Sequence, residues 1–122
     1  MSRDRHILGL AGEDLACREL ERRGYEILAR RYRRRGGEVD IVAREGATTV
    51  FVEVKTRDGL AYGAGGEAVS AFKRRRLTRV ALDYVARHGL SERPCRFDVV
   101  AIEVSGPAPR IEVYQNAFDA EP

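Results

Sequence analysis

Two runs of sequence decide the fold of this chain: EVDIVAR at residues 38–44 and TVFVEVKT at residues 49–56. Each run alternates between two sets of side chains, one of them apolar, which is the period of a β-strand with one buried face. Between them lies EGAT at residues 45–48, whose glycine suits the first central position of a two-residue type II′ turn. The two runs therefore predict a β-hairpin.

The turn determines which side chains face each other across the hairpin. With Gly46 and Ala47 at its centre, Ile41 faces Val52 on the neighbouring strand. A slip of one residue would bury the charged side chains, so the pattern favours this register. We expect one wholly apolar sheet face, formed by Val39, Ile41, Ala43, Val50, Val52 and Val54.

The opposite face of the hairpin carries the charged side chains. In the same register Asp40 lies opposite Glu53, and Glu38 lies opposite Lys55. The Cβ atoms of directly opposed residues are roughly 4.5–5.5 Å apart, so the two carboxylates repel each other unless a cation lies between them. Hard cations such as Mg²⁺ prefer such oxygen ligands. The pattern fits a divalent-metal site with Lys55 beside it, but charged residues at alternate strand positions are commonly just a solvated face, so the rest of the chain has to decide between the two.

Length and composition describe one globular domain. The chain has 122 residues, of which 43% are hydrophobic and 34% charged, so it can bury a core. We expect a single domain over residues 1–122, with its core at roughly 7–118 and a loose C-terminal tail. Cys17 and Cys95 lack the neighbours of a zinc site and favour a reducing cytoplasm. We expect no membrane association, because no stretch approaches the ~20 apolar residues of a membrane span and the polar N-terminus has no signal-like run.

The net charge is only +3, but the basic residues form two dense blocks, at residues 30–35 and 73–79. Such blocks are typical of proteins that bind phosphate groups. Either block alone would fit a solvated basic face equally well. We expect nucleic acid to contact Arg31, Arg33, Arg34, Arg35, Arg57, Lys73, Arg74 and Arg76.

The remaining elements follow from hydrophobic periodicity and from glycine and proline positions. The second of two helices has an apolar stripe that includes Phe72, with Lys73 at its margin. The first arginine block is predicted to form a turn before the hairpin. In chain order we predict a helix at Ile7–Arg23, strands at Tyr25–Ala29, Glu38–Arg44 and Thr49–Thr56, a mobile loop at Arg57–Gly66, a helix at Glu67–His88, and strands at Arg96–Val104 and Arg110–Tyr114.

Glu13 is unusual in the first helix because it falls in the middle of the apolar stripe. An isolated buried carboxylate is unfavourable, so a glutamate at this position needs a partner. It belongs either to an acidic site with Asp40 and Glu53 or to the rim of the core, where it would pair with an arginine. The sequence leaves both interpretations open.

Short motifs distributed along the chain carry a family resemblance. They are Gly12-Glu13, Gly24-Tyr25, Gly37-Glu38-Val39-Asp40-Ile41-Val42, Phe51-Val52-Glu53-Val54-Lys55-Thr56-Arg57, Tyr62-Gly63, Glu67-Ala68-Val69, Lys73, Arg96-Phe97-Asp98 and Asn116-Ala117-Phe118. With these motifs, residues 12–118 resemble the bacterial YraN family of endonuclease-like proteins. One departure is Arg31, where the YraN pattern usually has asparagine.

The order helix, three strands, helix, two strands resembles the core of the PD-(D/E)xK nuclease superfamily. That resemblance implies an α/β fold with a restriction-endonuclease-like core, in which helices flank a mixed central sheet of about five strands. More distantly, the set Glu13, Asp40, Glu53 and Lys55 is similar to the active site of archaeal Holliday-junction resolvases. The resemblance therefore implies a nuclease-like domain with a phosphodiester-cleaving site.

In that site, Asp40, Glu53 and the main-chain carbonyl of Val54 would hold Mg²⁺ or Mn²⁺, which would polarise the phosphate and acidify a water molecule. Lys55 would orient the water or stabilise charge on the phosphate. Glu13 would approach from the first helix and hold a water molecule or a second ion. We therefore expect the three acids to converge around a gap the size of one cation.

Two further residues extend the expected site. Glu38 could place the Lys55 ammonium through an ion pair, or it could form a simple cross-strand pair. Lys73 could reach the same phosphate from the second helix. The arginine blocks would bind the flanking backbone, which gives affinity without sequence choice.

Three classes of function are compatible with these residues. The first is a metal-dependent endonuclease acting on DNA, selective for branched or flapped structure because no helix is built for major-groove readout. The second is a nucleic-acid-binding module that keeps the nuclease fold without turnover. The third is an assembly factor whose basic surface binds a protein or RNA. The intact acids and lysine favour the first, with DNA favoured over RNA.

We expect a homodimer, because a single chain of net charge +3 is small for binding a four-way junction.

Overall fold

The computed structural model describes residues 2–57 and 69–120, with side chains from residue 9 onward. The elements follow in the predicted order, with two helices and five strands among these residues. They are α1 (Ser2–Arg22), β1 (Glu26–Arg34), β2 (Gly37–Glu45), β3 (Thr48–Arg57), α2 (Ala71–Arg87), β4 (Cys95–Glu103) and β5 (Arg110–Phe118).

The strands form one mixed sheet in the order β1-β2-β3-β4-β5. β1, β2 and β3 are an antiparallel meander, β4 runs parallel to β3, and β5 returns antiparallel to β4. The parallel step needs a long crossover, and the segment that contains α2 supplies it. This is the predicted α/β fold with a restriction-endonuclease-like core.

The central hairpin has the predicted register. Ile41 pairs with Val52, and Glu45 pairs with Thr48 on either side of the turn. Gly46 has a φ of 61° and Ala47 does not share this left-handed conformation, which agrees with a turn that needs positive φ at its first central position only.

The two helices cover opposite faces of the sheet and bury a core on each. On one side α1 packs against β2, β3 and β4, and its buried residues include Ala16, Leu20, Ile41, Val50, Val52, Val100 and Ile102. On the other side α2 packs against the same strands, and its buried residues include Val39, Val42, Phe51, Leu77, Val80, Tyr84 and Phe97. The predicted apolar face is thus correct except for Val39, which belongs to the α2 side.

Side chains of β2 alternate between the two sheet faces, but this alternation is interrupted at Asp40. Val39 therefore lies on the α2 side of the sheet. Among the described residues, pairing between β2 and β3 ends at Ile41 and Val52, one step before Asp40. Beyond that step the Asp40 carboxylate, rather than a β2 carbonyl, accepts the hydrogen bond of the Val54 N–H. The hairpin therefore opens into a fork at Asp40.

α1 approaches β3 closely because it has a glycine at the contact. A Cβ atom added to Gly12 would lie 2.0 Å from the Thr56 hydroxyl oxygen. Only a residue without a side chain permits this approach. The next residue, Glu13, is thereby brought towards the open end of the hairpin.

The first arginine block forms a strand rather than the predicted turn. β1 continues to Arg34, which pairs with Gly37 across a turn of only Arg35 and Gly36. β1 is an edge strand, and edge strands tolerate charged side chains because one side of the ladder faces solvent. The arginines therefore extend along the sheet instead of clustering at a loop.

The start of the second helix also differs from the prediction. The helix begins at Ala71 and not at Glu67, because Ser70 is its N-cap and accepts a hydrogen bond from the Lys73 N–H. Phe72, predicted to lie in the core, is 63% exposed. Leu77, absent from the predicted stripe, is buried instead. The glycine-rich segment from residue 58, its predicted mobility, Glu67 and Glu121–Pro122 lie outside the described residues.

Candidate active site

Asp40 lies at the fork between β2 and β3 and is partly buried. Its Oδ2 accepts a hydrogen bond from the Val54 N–H at 2.8 Å. Burial, and next the negative charge of Glu53, raise the pKa of Asp40 to about 7, although the hydrogen bond from Val54 acts in the opposite direction. Asp40 and Glu53 are therefore close enough for their charges to interact, although they do not form the directly opposed ladder pair that the sequence predicted, because that ladder ends at Ile41 and Val52.

Glu53 is only 6% exposed. Its Oε2 accepts a hydrogen bond from the Lys73 ammonium, which forms a salt bridge across the pocket. Lys73 lies in the first turn of α2, and the Ser70 side chain accepts from its N–H at 3.2 Å. The helix cap thus positions the cation that neutralises Glu53. No sequence pattern indicated this contact, because the two residues come from separate elements.

Lys55 follows Glu53 by two positions on β3, so the strand directs both side chains to the same face. Burial and then the positive charge of Arg57 lower the pKa of Lys55, while the charge of Glu53 raises it. The ammonium therefore lies within electrostatic range of Glu53.

Glu13 has its carboxylate at the margin of the site. Its side chain is 13% exposed, and its Oε1 accepts from Arg31 Nε at 3.0 Å and lies 3.5 Å from the Arg30 guanidinium. Its charge is also among the causes that raise the pKa of Asp40. Glu13 therefore pairs with arginines, as the second interpretation expects, and its charge also acts on Asp40.

The expected convergence of three acids around one gap is not observed. In the part of the chain that the structure describes, no three Asp, Glu, His or Cys side chains are grouped closely enough to hold a metal ion. The ion pair with Arg31 engages one oxygen of Glu13. The site consists of two carboxylates, Asp40 and Glu53, with Glu13 behind them.

Glu38 does not face Lys55 across a strand ladder, contrary to the prediction. It is paired with Arg33 in the register between β1 and β2, and it accepts from Arg33 Nε at 3.2 Å. The prediction was wrong because it extended the β2–β3 ladder beyond Ile41, where the strands have already separated.

A pocket of about 440 Å³ opens in front of the acid pair. Its sheet wall carries Asp40 and Glu53, and its helix wall carries Phe72, Lys73 and Arg76. This volume is within the range of pockets that hold small ligands. The pocket thus places acids, cations and an exposed aromatic ring around one space.

The acid pair fits a hard divalent cation. After burial, the charge of Glu53 is the next cause that raises the pKa of Asp40, so a cation bound between the two carboxylates would relieve their repulsion. Mg²⁺ is commonly held by one or two carboxylates together with water and substrate phosphate, so three protein acids are not required. Because a strand residue directs its N–H and C=O to the same side, the Val54 carbonyl is expected to face the fork along with its N–H. Asp40, Glu53 and Val54 therefore remain a consistent ligand set.

The predicted nucleic-acid-binding residues form two groups in the structure. Three members of the first block form ion pairs within the protein: Arg31 with Glu13, Arg33 with Glu38, and Arg34 with Asp83. Arg31 has a φ of 51°, a left-handed conformation that asparagine adopts more readily than arginine. This is a physical reason for the asparagine that the YraN pattern usually has there.

Tertiary packing joins the two basic blocks. Arg76 Nε donates to the Gly36 carbonyl in the β1–β2 turn at 2.7 Å. Arg35 is exposed on the same turn, Arg74 donates to the Val69 carbonyl, and Arg57 ends β3. The turn and the first half of α2 therefore form one basic surface beside the pocket.

A second buried acid lies apart from the pocket and escaped the sequence-based search for site residues. Asp98 is fully buried and accepts hydrogen bonds from the Tyr25 hydroxyl at 3.1 Å, from Arg96 Nε at 2.9 Å and from the Asn116 N–H at 3.0 Å. These contacts join the link between α1 and β1 to β4 and β5. The motifs around Arg96 and Asn116 thus have a structural explanation.

Comparison with known proteins identifies the family of this chain. The model of the uncharacterised protein family UPF0102 matches residues 12–102, which contain the acid pair and both lysines of the site. The chain belongs to the UPF0102 family. UPF0102 and YraN are names of the same family, so the resemblance to the YraN family is confirmed.

Several UPF0102 relatives match nearly the whole chain. A UPF0102 protein of Geobacter sulfurreducens is 54% identical over 93% of this chain and 89% of its own length. One from Symbiobacterium thermophilum is 52% identical over 93% of this chain and 97% of its own length. One from Chlorobium phaeobacteroides is 40% identical over 99% of this chain and all of its own length. Within the described residues of this UPF0102 protein, neither helix is long and apolar enough to span a membrane.

Proposed function

We propose that this UPF0102 protein is a metal-dependent endonuclease that hydrolyses phosphodiester bonds in DNA. The observation that carries the proposal is the repelling pair Asp40 and Glu53 at the open end of the hairpin, with Lys55 and Lys73 within electrostatic range. Cleavage of a phosphodiester needs a positioned water molecule and neutralisation of charge on the phosphate. The pocket offers acids for the first requirement, and the Lys73 ammonium and the Arg76 guanidinium for the second.

Each residue has a role in this proposal. Asp40, Glu53 and the Val54 carbonyl would hold Mg²⁺ or Mn²⁺, which supplies Lewis-acid polarisation of the phosphate. Lys55 stabilises negative charge on the phosphate from the same sheet face as Glu53. Glu13 positions a water molecule from the α1 side. The Val54 N–H holds the Asp40 carboxylate in place before substrate arrives.

The basic surface beside the pocket supports DNA as the substrate. Arginines of the β1–β2 turn and α2 lie on the pocket side on which Lys73 and Arg76 are found. Contacts with the sugar–phosphate backbone supply affinity without sequence information. Structure-selective cleavage, a cytoplasmic location and a homodimer are further parts of the proposal.

One observation favours a second candidate function, a nucleic-acid-binding module without turnover. Lys73 already neutralises Glu53, so an ammonium group takes the role that a metal ion would have. In this alternative the pocket is a phosphate-binding site in which the acid only positions Lys73. The two candidates differ in whether a divalent metal ion binds at Asp40.

Calorimetric titration with Mn²⁺ distinguishes the candidates. The endonuclease proposal predicts binding to the wild-type protein and loss of binding in Asp40→Asn and in Glu53→Gln. Asp40→Asn is well suited because the amide oxygen can still accept the Val54 hydrogen bond. Glu38→Gln is the matched control, since Glu38 lines the same pocket but pairs with Arg33.

Cleavage assays complete the test with linear, nicked, flapped and four-way DNA in Mn²⁺. We expect products from the branched or flapped substrates, and none from Asp40→Asn or Lys55→Ala. Binding to every substrate without Mn²⁺-dependent product would support the binding module instead. Products that persist in both variants would show that the cleavage does not originate at this site. Absence of nucleic-acid binding at low salt would contradict both candidates.

A further inference from the structure

Phe72 has an exposed aromatic ring at the edge of the candidate active site. Its side chain is 63% exposed although it lies on the same helix as a well-packed core face. A single exposed apolar side chain needs no explanation by itself, but a phenylalanine ring at the rim of a pocket offers a ligand a large flat apolar surface. Leu82 is similarly exposed at 59%, on the same helix but away from the pocket.

The surroundings of Phe72 are chemically specific. The ring lines the pocket that contains Asp40, Glu53 and Lys73. The Arg76 guanidinium lies over the ring at 5.6 Å from its centroid, and the Gly36 carbonyl holds the same side chain through a 2.7 Å hydrogen bond. A flat apolar surface and fixed cations therefore lie side by side at the rim of one cavity.

This combination matches one nucleotide rather than a general apolar partner. A nucleotide has an aromatic base next to an anionic phosphate, and the pocket rim has an aromatic ring next to Lys73 and Arg76. The first turn of α2 contains no acidic residue, and the block Lys73–Arg76 follows the ring directly. A second protein chain docking here through apolar contacts would have to desolvate these cations without balancing their charge.

We infer that Phe72 is a stacking platform for an unpaired base whose neighbouring phosphate lies on Lys73 and Arg76. A base in a duplex is stacked between its neighbours and is not available to the ring, whereas a base in a flap, a junction or a single strand is available. Phe72 thereby makes the protein selective for DNA that has unpaired nucleotides at the bound phosphate. The inference rests on the proposed function because it takes DNA as the ligand, but it does not require that the protein cleaves DNA.

The absence of tryptophan from the chain permits a direct test. Phe72→Trp introduces a single tryptophan at the ring position, whose emission can be excited separately from that of the five tyrosines, and Leu82→Trp is the matched control on the same helix. Each is titrated, in EDTA so that no cleavage occurs, with an oligodeoxythymidine of about 12 nucleotides and with a duplex of equal length. We expect the single strand to quench Phe72→Trp strongly and Leu82→Trp little, and the duplex to quench neither strongly.

Affinity measurements with Phe72→Ala give a second readout. Removal of one base–aromatic stack is expected to weaken binding of the single strand roughly tenfold or more, and binding of the duplex less than about threefold. Phe72→Trp is expected to retain wild-type affinity, and Leu82→Ala to change neither substrate. Equal losses on both substrates, or no loss on the single strand, would overturn the inference.

Sedimentation and cleavage distinguish base stacking from contact between two copies of the chain and from the endonuclease activity. If Phe72→Ala changes the sedimentation coefficient of the DNA-free protein and leaves single-strand affinity intact, the ring serves a contact between two copies and the inference is wrong. If selective quenching is observed but no Mn²⁺-dependent product forms, the inference holds while the proposed endonuclease activity fails. If Phe72→Ala cleaves DNA and still prefers flapped over linear DNA as strongly as the wild-type protein does, the inference is refuted and the endonuclease activity stays in place.

Discussion

Asp40→Asn should stabilise the metal-free protein, and this effect should depend on pH. Burial and the charge of Glu53 raise the pKa of Asp40 from 3.8 to about 7 in the folded chain. The folded state therefore keeps a proton that the unfolded state has lost, so stability falls as pH rises between these two values. Replacement of the carboxylate by an amide removes this dependence and keeps the acceptor for the Val54 N–H.

The magnitude follows from the two pKa values. A pKa near 7 in place of 3.8 corresponds to an upper limit of about 4 kcal/mol above neutral pH. We expect about half of that, roughly 2 kcal/mol, because relaxation around Lys73 and solvent at the pocket mouth weaken the repulsion. In a chain of this size, that corresponds to a rise in Tm of roughly 5–10 °C near pH 8.

Urea unfolding and thermal melts in EDTA, from pH 8 downward, measure this effect. The difference between Asp40→Asn and the wild-type protein should narrow as pH falls towards 4. Addition of Mn²⁺ should stabilise the wild-type protein at pH 8 but not the variant, because only the wild type has the full acid pair. Glu38→Gln should show neither effect. A variant that is less stable than wild type at all pH values would refute the view that Asp40 and Glu53 repel each other.

Three further predictions test contacts that the structure reveals. Lys73→Met should lower the free energy of unfolding by roughly 1–3 kcal/mol near pH 8, because it leaves the buried Glu53 carboxylate without its cation. Calorimetry should show tighter Mn²⁺ binding to this variant, and unchanged or weaker binding would contradict competition between Lys73 and the metal ion for Glu53. Asp98→Ala should destabilise by roughly 3–5 kcal/mol in urea, because it breaks a buried charged network, while Mn²⁺ affinity per folded molecule stays constant. Gly12→Ala should destabilise the folded protein by about 2 kcal/mol or more. Gly9→Ala, where nothing lies within 4 Å of the added Cβ, should stabilise the helix by up to about 1 kcal/mol. Equal effects of the two glycine variants in thermal melts would argue against the close contact of α1 with β3.

The elements that local patterning specifies were predicted correctly. The alternation in residues 38–44 and 49–56 and the single glycine of the turn placed Ile41 opposite Val52, because a slip would have buried charges. The prediction failed where it continued this logic past Ile41. The fork at Asp40 depends on a side chain replacing a backbone acceptor, and no periodic pattern encodes such an exchange.

Phe72 and the first arginine block also show that a local sequence pattern does not decide which surface is buried. Helical periodicity placed Phe72 among the core residues, but the helix starts later than predicted and buries Leu77 against the sheet instead of Phe72. The arginines of β1 suggested a turn because charge runs are common in loops, yet an edge strand accommodates them with one side in solvent. In both cases the neighbouring element decided which surface was buried.

The sequence by itself determined the order of the elements, the register of the central hairpin up to Ile41 and the placement of Glu53 and Lys55 on one face of β3. These depend on backbone periodicity and turn chemistry, which act over a few residues. Only the tertiary structure decided that Lys73 neutralises Glu53, that Arg31 holds Glu13 and that the two basic blocks meet through Arg76 and Gly36. Such contacts join residues far apart in the chain, and they form only when the packing of each helix on its sheet face brings them within range of a charge.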